Sequence, residues 1–436
     1  MSTTDAPTAM TDVLMNDDPL YEELYDVRRE AELHGNLVEG DMNPAMNAWR
    51  AKGPVHKGSL RELLGLPQHH HIAGAAGRQG YTAFSYDACA AAFRDTVHFS
   101  SSILHRPNER GDKRLGLLEM DGAEHQGFRK ALQPMFNKPV AFDWWRRMWI
   151  DATVARLIER LKTRDSAELN LDFCARIPVH TITVAIGLSA QQSLAFRAAY
   201  MKSSGIGVKS PAEQQQAAAQ VESILFELIA KRKEQPRDDL VSNLLAATIK
   251  EPGGALRPMT DREVMIHARL ALLAGGGTTW RQMGITLLAL LTHPDQLQAL
   301  RADRSLMQRV IDESMRWNAT DPVFHRLVIE DAELAGVDIP AGAVLEICLG
   351  AANRDPSRWE NPDVFDIHRP VRSHLGFGMG SHRCLGLNVA HAEITAGVNA
   401  LLDAFPNLRL DPARPAPFLT GGLEQRGVSP LHVRLD

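Results

Sequence analysis

The sequence predicts a mainly α-helical chain with a minor β portion (α+β), and three observations predict it. Apolar residues recur at helical spacing over most of the chain beyond residue 121. One such stretch, 260–292, opens with "MTDREV", which supplies Thr260 as an N-cap and Glu263 three residues on. Only one long segment, "RLVIEDAELAGVDIPAGAVLEICL", reads as strands. On this pattern helix outweighs strand roughly three to one.

Taken in order, residues 1–20 are polar and acidic and read as a loose tail before a single domain spanning 21–436. Residues 53–82, rich in glycine and carrying "HHH" at 69–71, read as irregular loop or short strands. The three histidines are expected to be solvated rather than to trap a metal. Asp121 to about Lys162 is helical in pattern, with Trp144, Trp145 and Trp149 mostly buried. Helical periodicity returns at 189–202, 211–233, 238–250, 260–292, 295–302 and 305–318. Strands broken by Gly336 and by Pro340-Ala341-Gly342 follow. A loop rich in proline and glycine then leads to "FGMGSHRCLG" and a last helix from about Leu385 to Phe405.

With 436 residues, 23% of them charged, the chain is long enough for a sizeable core and too apolar for disorder. A net charge of −5 without a long basic run gives no support for nucleic-acid binding. The N-terminus does not resemble a signal peptide, and no run of eighteen apolar residues occurs. The four cysteines (Cys89, Cys174, Cys348, Cys384) are too scattered for a disulfide framework. These features predict a soluble cytoplasmic protein with no membrane contact, acting as a monomer.

"LLAGGGTTW" (272–280) poses a problem, because three consecutive glycines should each weaken a helix by about 1 kcal/mol. The plain reading is a loop joining two helices. A second reading depends on Cys384, which closes a glycine-rich loop just before a helix. Glycines let backbone turn sharply and approach a flat ligand. Loop amides and the coming helix N-terminus are expected to stabilise an anionic sulfur and lower the thiol pKa. A lone cysteine is usually a small buried hydrophobe. Zinc is the other alternative, but the spacings of His374, His382 and His391 around Cys384 match no structural zinc pattern.

Phe377, Gly380, His382, Cys384 and Gly386 fit F-x-x-G-x-[HR]-x-C-x-G, and on these residues the chain resembles the cytochrome P-450 superfamily of haem-thiolate monooxygenases, in its soluble bacterial form. The resemblance implies that Cys384 is the proximal ligand to the iron of haem b. It implies that Glu313 and Arg316 of "ESMR" join Arg369 of "PDVFDIHRP" in a buried structural triad. The spacing alone decides nothing, since "EQPR" (234–237) shares it. His125 and Arg129 of "DGAEHQGFRK", with Arg326 and His382, are the implied partners of the haem propionates, although His125 and Arg129 read alone are an ordinary polar helix face.

By the same resemblance "LLAGGGTTW" lies on the helix crossing the oxygen-binding side, where helical hydrogen bonding commonly loosens and small residues leave room. Ala274, Gly275, Thr278 and Thr279 fit [AG]-G-x-[DE]-T-[TSAV], with Thr278 and Thr279 as catalytic candidates. Gly277 departs from it, standing where the pattern has an acid that relays protons. Water ordered by Thr278 and Thr279 is the expected substitute.

The implied reaction inserts one oxygen atom of O2 into a small hydrophobic substrate. The resemblance runs from about residue 20 to the end, so electrons are expected from a separate ferredoxin system. The alternative keeps the fold for peroxide-driven oxidation or nitric oxide reduction, which the missing acid would suit. A haem-based gas sensor is a third class. Leu270, Leu273, Ala274, Val323 and Phe324 are the expected pocket lining; His105, Arg106 and Arg110 of the loop near 98–118 are expected to be solvated, the alternative being that one binds a substrate carboxylate. Arg383, Arg146, Arg147 and Lys138 are candidates for a basic patch facing an acidic ferredoxin.

Overall fold

The computed structural model describes residues 19–67, 69, 72–104, 115–203 and 208–436, without the side chains of 73, 190 and 191. Seven helices are used below: α1 Gly122–Leu132, α2 Arg176–Ile186, α3 Ala190–Ser203, α4 Pro211–Glu234, α5 Asp261–Thr292, α6 Met307–Trp317 and α7 Leu387–Ala404. Most of the expected tail, residues 1–18, lies outside the described residues, as do His70 and His71. Among the described residues no cluster of metal-ligating side chains occurs.

The middle of the molecule is α5. Its capping box forms as expected: Thr260 Oγ1 accepts from the Glu263 amide, and the Glu263 carboxylate accepts from the Thr260 amide at 2.8 Å. Arg257 clamps that carboxylate through two contacts of 2.7 Å. The helix runs unbroken through Gly275–Gly277, so neither the loop reading nor a loosened helix describes it. Apolar side chains cover it nearly all round, from Val264 to Leu290, which is the pattern of a helix buried on every side.

The closest neighbour of α5 is α2, which periodicity does not predict. A Cβ on Gly275 would lie 3.3 Å from Ile182 Cγ1 of α2, and one on Gly276 would lie 3.9 Å from Ile182 and Val179. The small residues therefore let two buried helices approach. Other helices outside the expectation are Leu20–Tyr25, Val27–Leu33, Asn43–Lys52 and Tyr86–Arg94.

One helical stretch is subdivided and one expected helix is shortened. Asp121–Lys162 divides into α1, a 3-10 turn Gln133–Phe136 at Pro134, a π-helix Ala141–Ile150 and a helix Asp151–Leu161. Trp145 and Trp149 are buried there, while Trp144 is half-buried and donates to Asp238. The expected helix 238–250 stops at Ala246, because Thr248–Lys250 pairs antiparallel with Leu256–Pro258.

Five strands form the main sheet: β1 Val55–Lys57, β2 Gly80–Ala83, β3 Phe99–Ser100, β4 Phe324–Val328 and β5 Val344–Ile347. Their order is β1-β2-β5-β4-β3, with β2 and β5 parallel and the other pairs antiparallel. Ala335 and Gly336, both at positive φ, turn the hairpin between Ala332–Leu334 and Val337–Ile339. The sheet packs a core of its own, separate from the large helical one around Trp145, Trp280 and Phe173. Helix makes up 56% of the chain against this minor sheet portion, the predicted α+β balance. Among the described residues no helix is long and apolar enough to cross a membrane.

Candidate functional site

The loop before α7 is fixed by its backbone. Gly378 and Gly380 take φ of +66° and +71°, a region that side chains rarely adopt. A Cβ on Gly380 would also sit 2.7 Å from the carbonyl oxygen of Phe93. The Cys384 amide donates to Phe377 O at 2.8 Å, closing the loop on itself. The amides of Gly386 and Leu387 point at the Cys384 sulfur, as the helix N-terminus ahead suggests.

The balance at the thiol nevertheless differs from the expectation. Burial pushes its pKa up, and the two amides with nearby Arg129 offset this only in part. A coordinated cation would reverse the balance outright. Cys89, Cys174 and Cys348 are buried and their thiols are raised by burial, whereas Cys384 keeps accessible surface. Protein surrounds Cys384, so that surface faces an internal void. A Cβ on neighbouring Gly386 would meet nothing within 4 Å, which leaves room for a flat group against the loop.

Across the molecule, Ala274 is exposed and Thr278 half-buried, although both sit mid-way along an otherwise enclosed helix. Thr278 Oγ1 donates to Ala274 O at 2.9 Å. Thr279, one residue and about 100° further round the helix, is buried and turned from that face. Leu270 and Leu273 are half-buried, one turn earlier. Phe324 is half-buried against Phe93. Val323 is corrected: it is 4% exposed and packs with Met46, Leu60 and Phe84 in a core of its own. His105, Arg106 and Arg110 lie outside the described residues.

At the edge of this space, His125 and His382 come together with ring centres 4.1 Å apart. His125 Nε2 is buried without a partner, and burial lowers its pKa to about 4. His382 Nε2 is 3.1 Å from Asp121 Oδ1. Burial alone would raise the Asp121 carboxyl, but hydrogen bonds from His382, Ser100 and the Ser101 amide hold it below the usual range. Arg326, 5% exposed, donates only to the adjacent His325 carbonyl and has no ion pair among the described residues. Burial brings it down to about 10, so it stays cationic. Arg129 donates to the Arg383 carbonyl at 2.7 Å and to Gln133, placing it against the cysteine loop. An enclosed guanidinium without a carboxylate is costly unless an anion joins it. This donor set fits a flat ligand that carries carboxylate arms.

Behind the loop, Arg316 of α6 grips Glu313 through two contacts of 2.7 Å, and Arg369 reaches the same carboxylate at 3.3 Å. Arg316 also donates to the carbonyls of Asn353, Pro362 and Val364. A groove of about 420 Å³ opens beside them, lined by Lys138, Arg309, Arg369, Arg372 and Arg383 and also by the acidic Asp312 and Asp366. Arg146 and Arg147 are not part of it: they face Asp151 and Asp143 at 2.9 and 3.9 Å.

The profile of the Cytochrome P450 family matches residues 208–421. Cytochrome P450 107B1 of Saccharopolyspora erythraea is 34% identical over 308 residues, 70% of this chain and 73% of that protein. Cytochrome P450 105C1 of a Streptomyces species is 37% identical over 247 residues, 56% of this chain and 62% of its own length. The solved hydroxylase HmtN of himastatin biosynthesis superposes with a TM-score of 0.70 at 29% identity, covering 82% of this chain and 91% of that one.

Proposed function

Because the chain belongs to the cytochrome P450 family, a family of haem b oxidoreductases, we propose that its haem-thiolate monooxygenase site lies between Cys384 and the face of α5 at Ala274 and Thr278. What supports this reading is that Cys384 and Ala274 keep accessible surface, that nothing stands over Gly386, and that Arg326 is a buried cation without an ion pair among the described residues.

When bound there, haem iron supplies the activation of dioxygen for insertion into a substrate bond. The chain's own residues do the rest. Cys384 gives the thiolate, and the amides of Gly386 and Leu387 spread its charge. His125, Arg326, His382 and Arg129 hold the propionates by charge-assisted hydrogen bonds. Glu313, Arg316 and Arg369 keep the loop in place. Thr278 holds a proton at Oγ1, now shared with Ala274 O, and turning it into the void makes that proton available. Leu270, Leu273, Ala274 and Phe324 surround a hydrophobic substrate and exclude water.

Electrons come from a separate protein of ferredoxin type docking at the groove lined by Lys138, Arg309, Arg372 and Arg383. Its reduction rate should fall with salt, since exposed charge pairs are screened. We place the protein in the cytoplasm as a single copy, where its four thiols remain reduced.

The test is spectroscopic. Protein reconstituted with haem should give a reduced carbonyl adduct with the Soret band displaced to the red, and Cys384→Ala should lose it. A wild-type adduct without that displacement ends the reading. Gly277 favours a second reading, peroxide-driven oxidation or nitric oxide reduction. Substrate-dependent uptake of dioxygen with a ferredoxin, set against turnover with peroxide or with nitric oxide and NADH, separates the two.

A further inference from the structure

Asp312 stands beside Glu313 on α6 and belongs to none of the motifs above. Its Oδ1 lies 3.6 Å from His374 Nε2 and 3.6 Å from His391 Nε2. These are two of the histidines whose spacing around Cys384 fits no zinc pattern, and their hydrogen bonds speak against a metal as well. The Gly376 amide donates to His374 Nδ1 at 3.0 Å. Gln308 Nε2 donates to Asp312 Oδ2 at 3.3 Å and also to His391 Nδ1. Each Nδ1 accepts, so each ring carries its proton on Nε2, the nitrogen that faces Asp312. A metal would need that nitrogen bare.

This arrangement ties both flanks of the cysteine loop to one carboxylate. His374 lies before the loop, and His391 lies after it on α7. Both rings also pack on Phe377, with centres 6.0 and 5.3 Å away. Phe377 opens the loop, and its carbonyl accepts from the Cys384 amide at 2.8 Å. Contacts therefore run from Asp312 through two imidazoles and one phenyl ring to the backbone of the cysteine. Neighbouring Glu313 is occupied by Arg316 and Arg369 and takes no part. At 3.6 Å neither N–H makes a full hydrogen bond to Asp312. The attraction is that of a charge for two dipoles, so it needs the carboxylate ionised. Burial alone would raise the Asp312 carboxyl, but His374, His391 and Gln308 hold it below the usual range. The imidazoles are only 11% and 4% exposed, so little water competes for their N–H groups.

We propose that Asp312 is a positioning residue for the cysteine ligand: through His374 and His391 it fixes Phe377 and both flanks of the loop, and so holds the Cys384 sulfur in one setting. This deepens the haem-thiolate reading and rests on it. Without the carboxylate, the two imidazoles lose their common point of attachment to α6. Phe377 is then free to shift, and the Cys384 amide shifts with the carbonyl that holds it.

The test compares holoenzyme variants by spectroscopy. Electron paramagnetic resonance of the ferric parent should show one set of low-spin g values, and Asp312→Ala should show two, because the sulfur then takes more than one setting. Loss of stability alone would lower the unfolding midpoint and leave one set. In the reduced carbonyl adduct, the displaced Soret band should give way to an undisplaced one at least about tenfold faster in Asp312→Ala, the scale of stranding buried N–H groups. Asp312→Glu restores the charge and should bring the rate back to within about twofold of the parent. In a Phe377→Leu background the same Asp312→Ala change should alter the rate by less than about twofold, since the path is already cut. A single set of g values or the parent's rate in Asp312→Ala overturns the proposal. So does a glutamate that recovers nothing, or a full effect without Phe377. The parent's own carbonyl spectrum keeps the two readings apart. A displaced band that Asp312→Ala leaves untouched removes the positioning role alone, and an undisplaced band in the parent removes the haem-thiolate site and the role with it.

Discussion

The two walls of the void are built differently. Behind Cys384, polar groups answer each other: Glu313 takes both guanidiniums, Arg316 spends its remaining donors on three carbonyls, and the loop amides turn to the sulfur. On the α5 side, Ala274 is exposed and Thr278 half-buried, and Thr278 Oγ1 donates only to Ala274 O of its own helix. Buried polar groups are normally satisfied within the fold. The polar wall holds a fixed cofactor loop, and the wall of small, accessible side chains leaves room for something variable. The contrast locates specificity on the α5 side.

The hardest blow to this contrast comes from the satisfied wall. Glu313→Ala strands two guanidiniums, one 3% exposed and the other 11%. Removing one partner of a buried ion pair costs about 3–5 kcal/mol. The expected result is a large drop in unfolding midpoint together with loss of haem retention, read by thermal denaturation and by the Soret absorbance after gel filtration. Full haem retention with an unchanged midpoint would mean the triad supports nothing.

A smaller effect separates neighbouring glycines of α5. A Cβ at 276 meets Ile182 and Val179 only at 3.9 Å, so Gly276→Ala should add about 1 kcal/mol of helix stability. At 275 the same methyl lies 3.3 Å from Ile182 Cγ1, and α2 must give way, which cancels the gain. Urea denaturation of the two variants side by side checks the ordering. Equal stabilisation would show that close approach of α2 is not what the glycines serve.

These walls also differ in how far they can be read from sequence. The cysteine loop, the Glu313–Arg316 spacing and the capping box of α5 are local, so their geometry follows from a few adjacent residues. α2 was missed for the opposite reason. "RIPVHTITVAI" is buried on almost every side, so it has no polar face to set a period, and Pro178 with its β-branched residues argues against helix. Packing against α5 overrides that propensity. Thr248–Lys250 became strand through a partner several residues on, again invisible locally. The meeting of His125 with His382 was legible only through the family resemblance. Val323 was misplaced since the alternation of side chains in the approach to β4 is set by the fold.

The smallest effect bears on Gly277. A Cβ there would stand 3.7 Å from Arg281 Nη1 and 4.0 Å from Arg197 Nη1, both ordinary contacts, so sterics do not demand glycine. A glutamate side chain would extend toward two guanidiniums, and Arg197, whose Nε is buried without a partner, has no carboxylate of its own among the described residues. Gly277→Glu should therefore fold at least as stably as the parent, gaining helix propensity of about 1 kcal/mol. That makes its kinetics interpretable. If water in the gap beside Thr278 carries protons, filling the gap with a carboxylate must change both the solvent isotope effect and the fraction of electrons recovered in product. Identical values for variant and parent would take the proton path away from position 277. Thr278 would then have to draw its proton from elsewhere around the void.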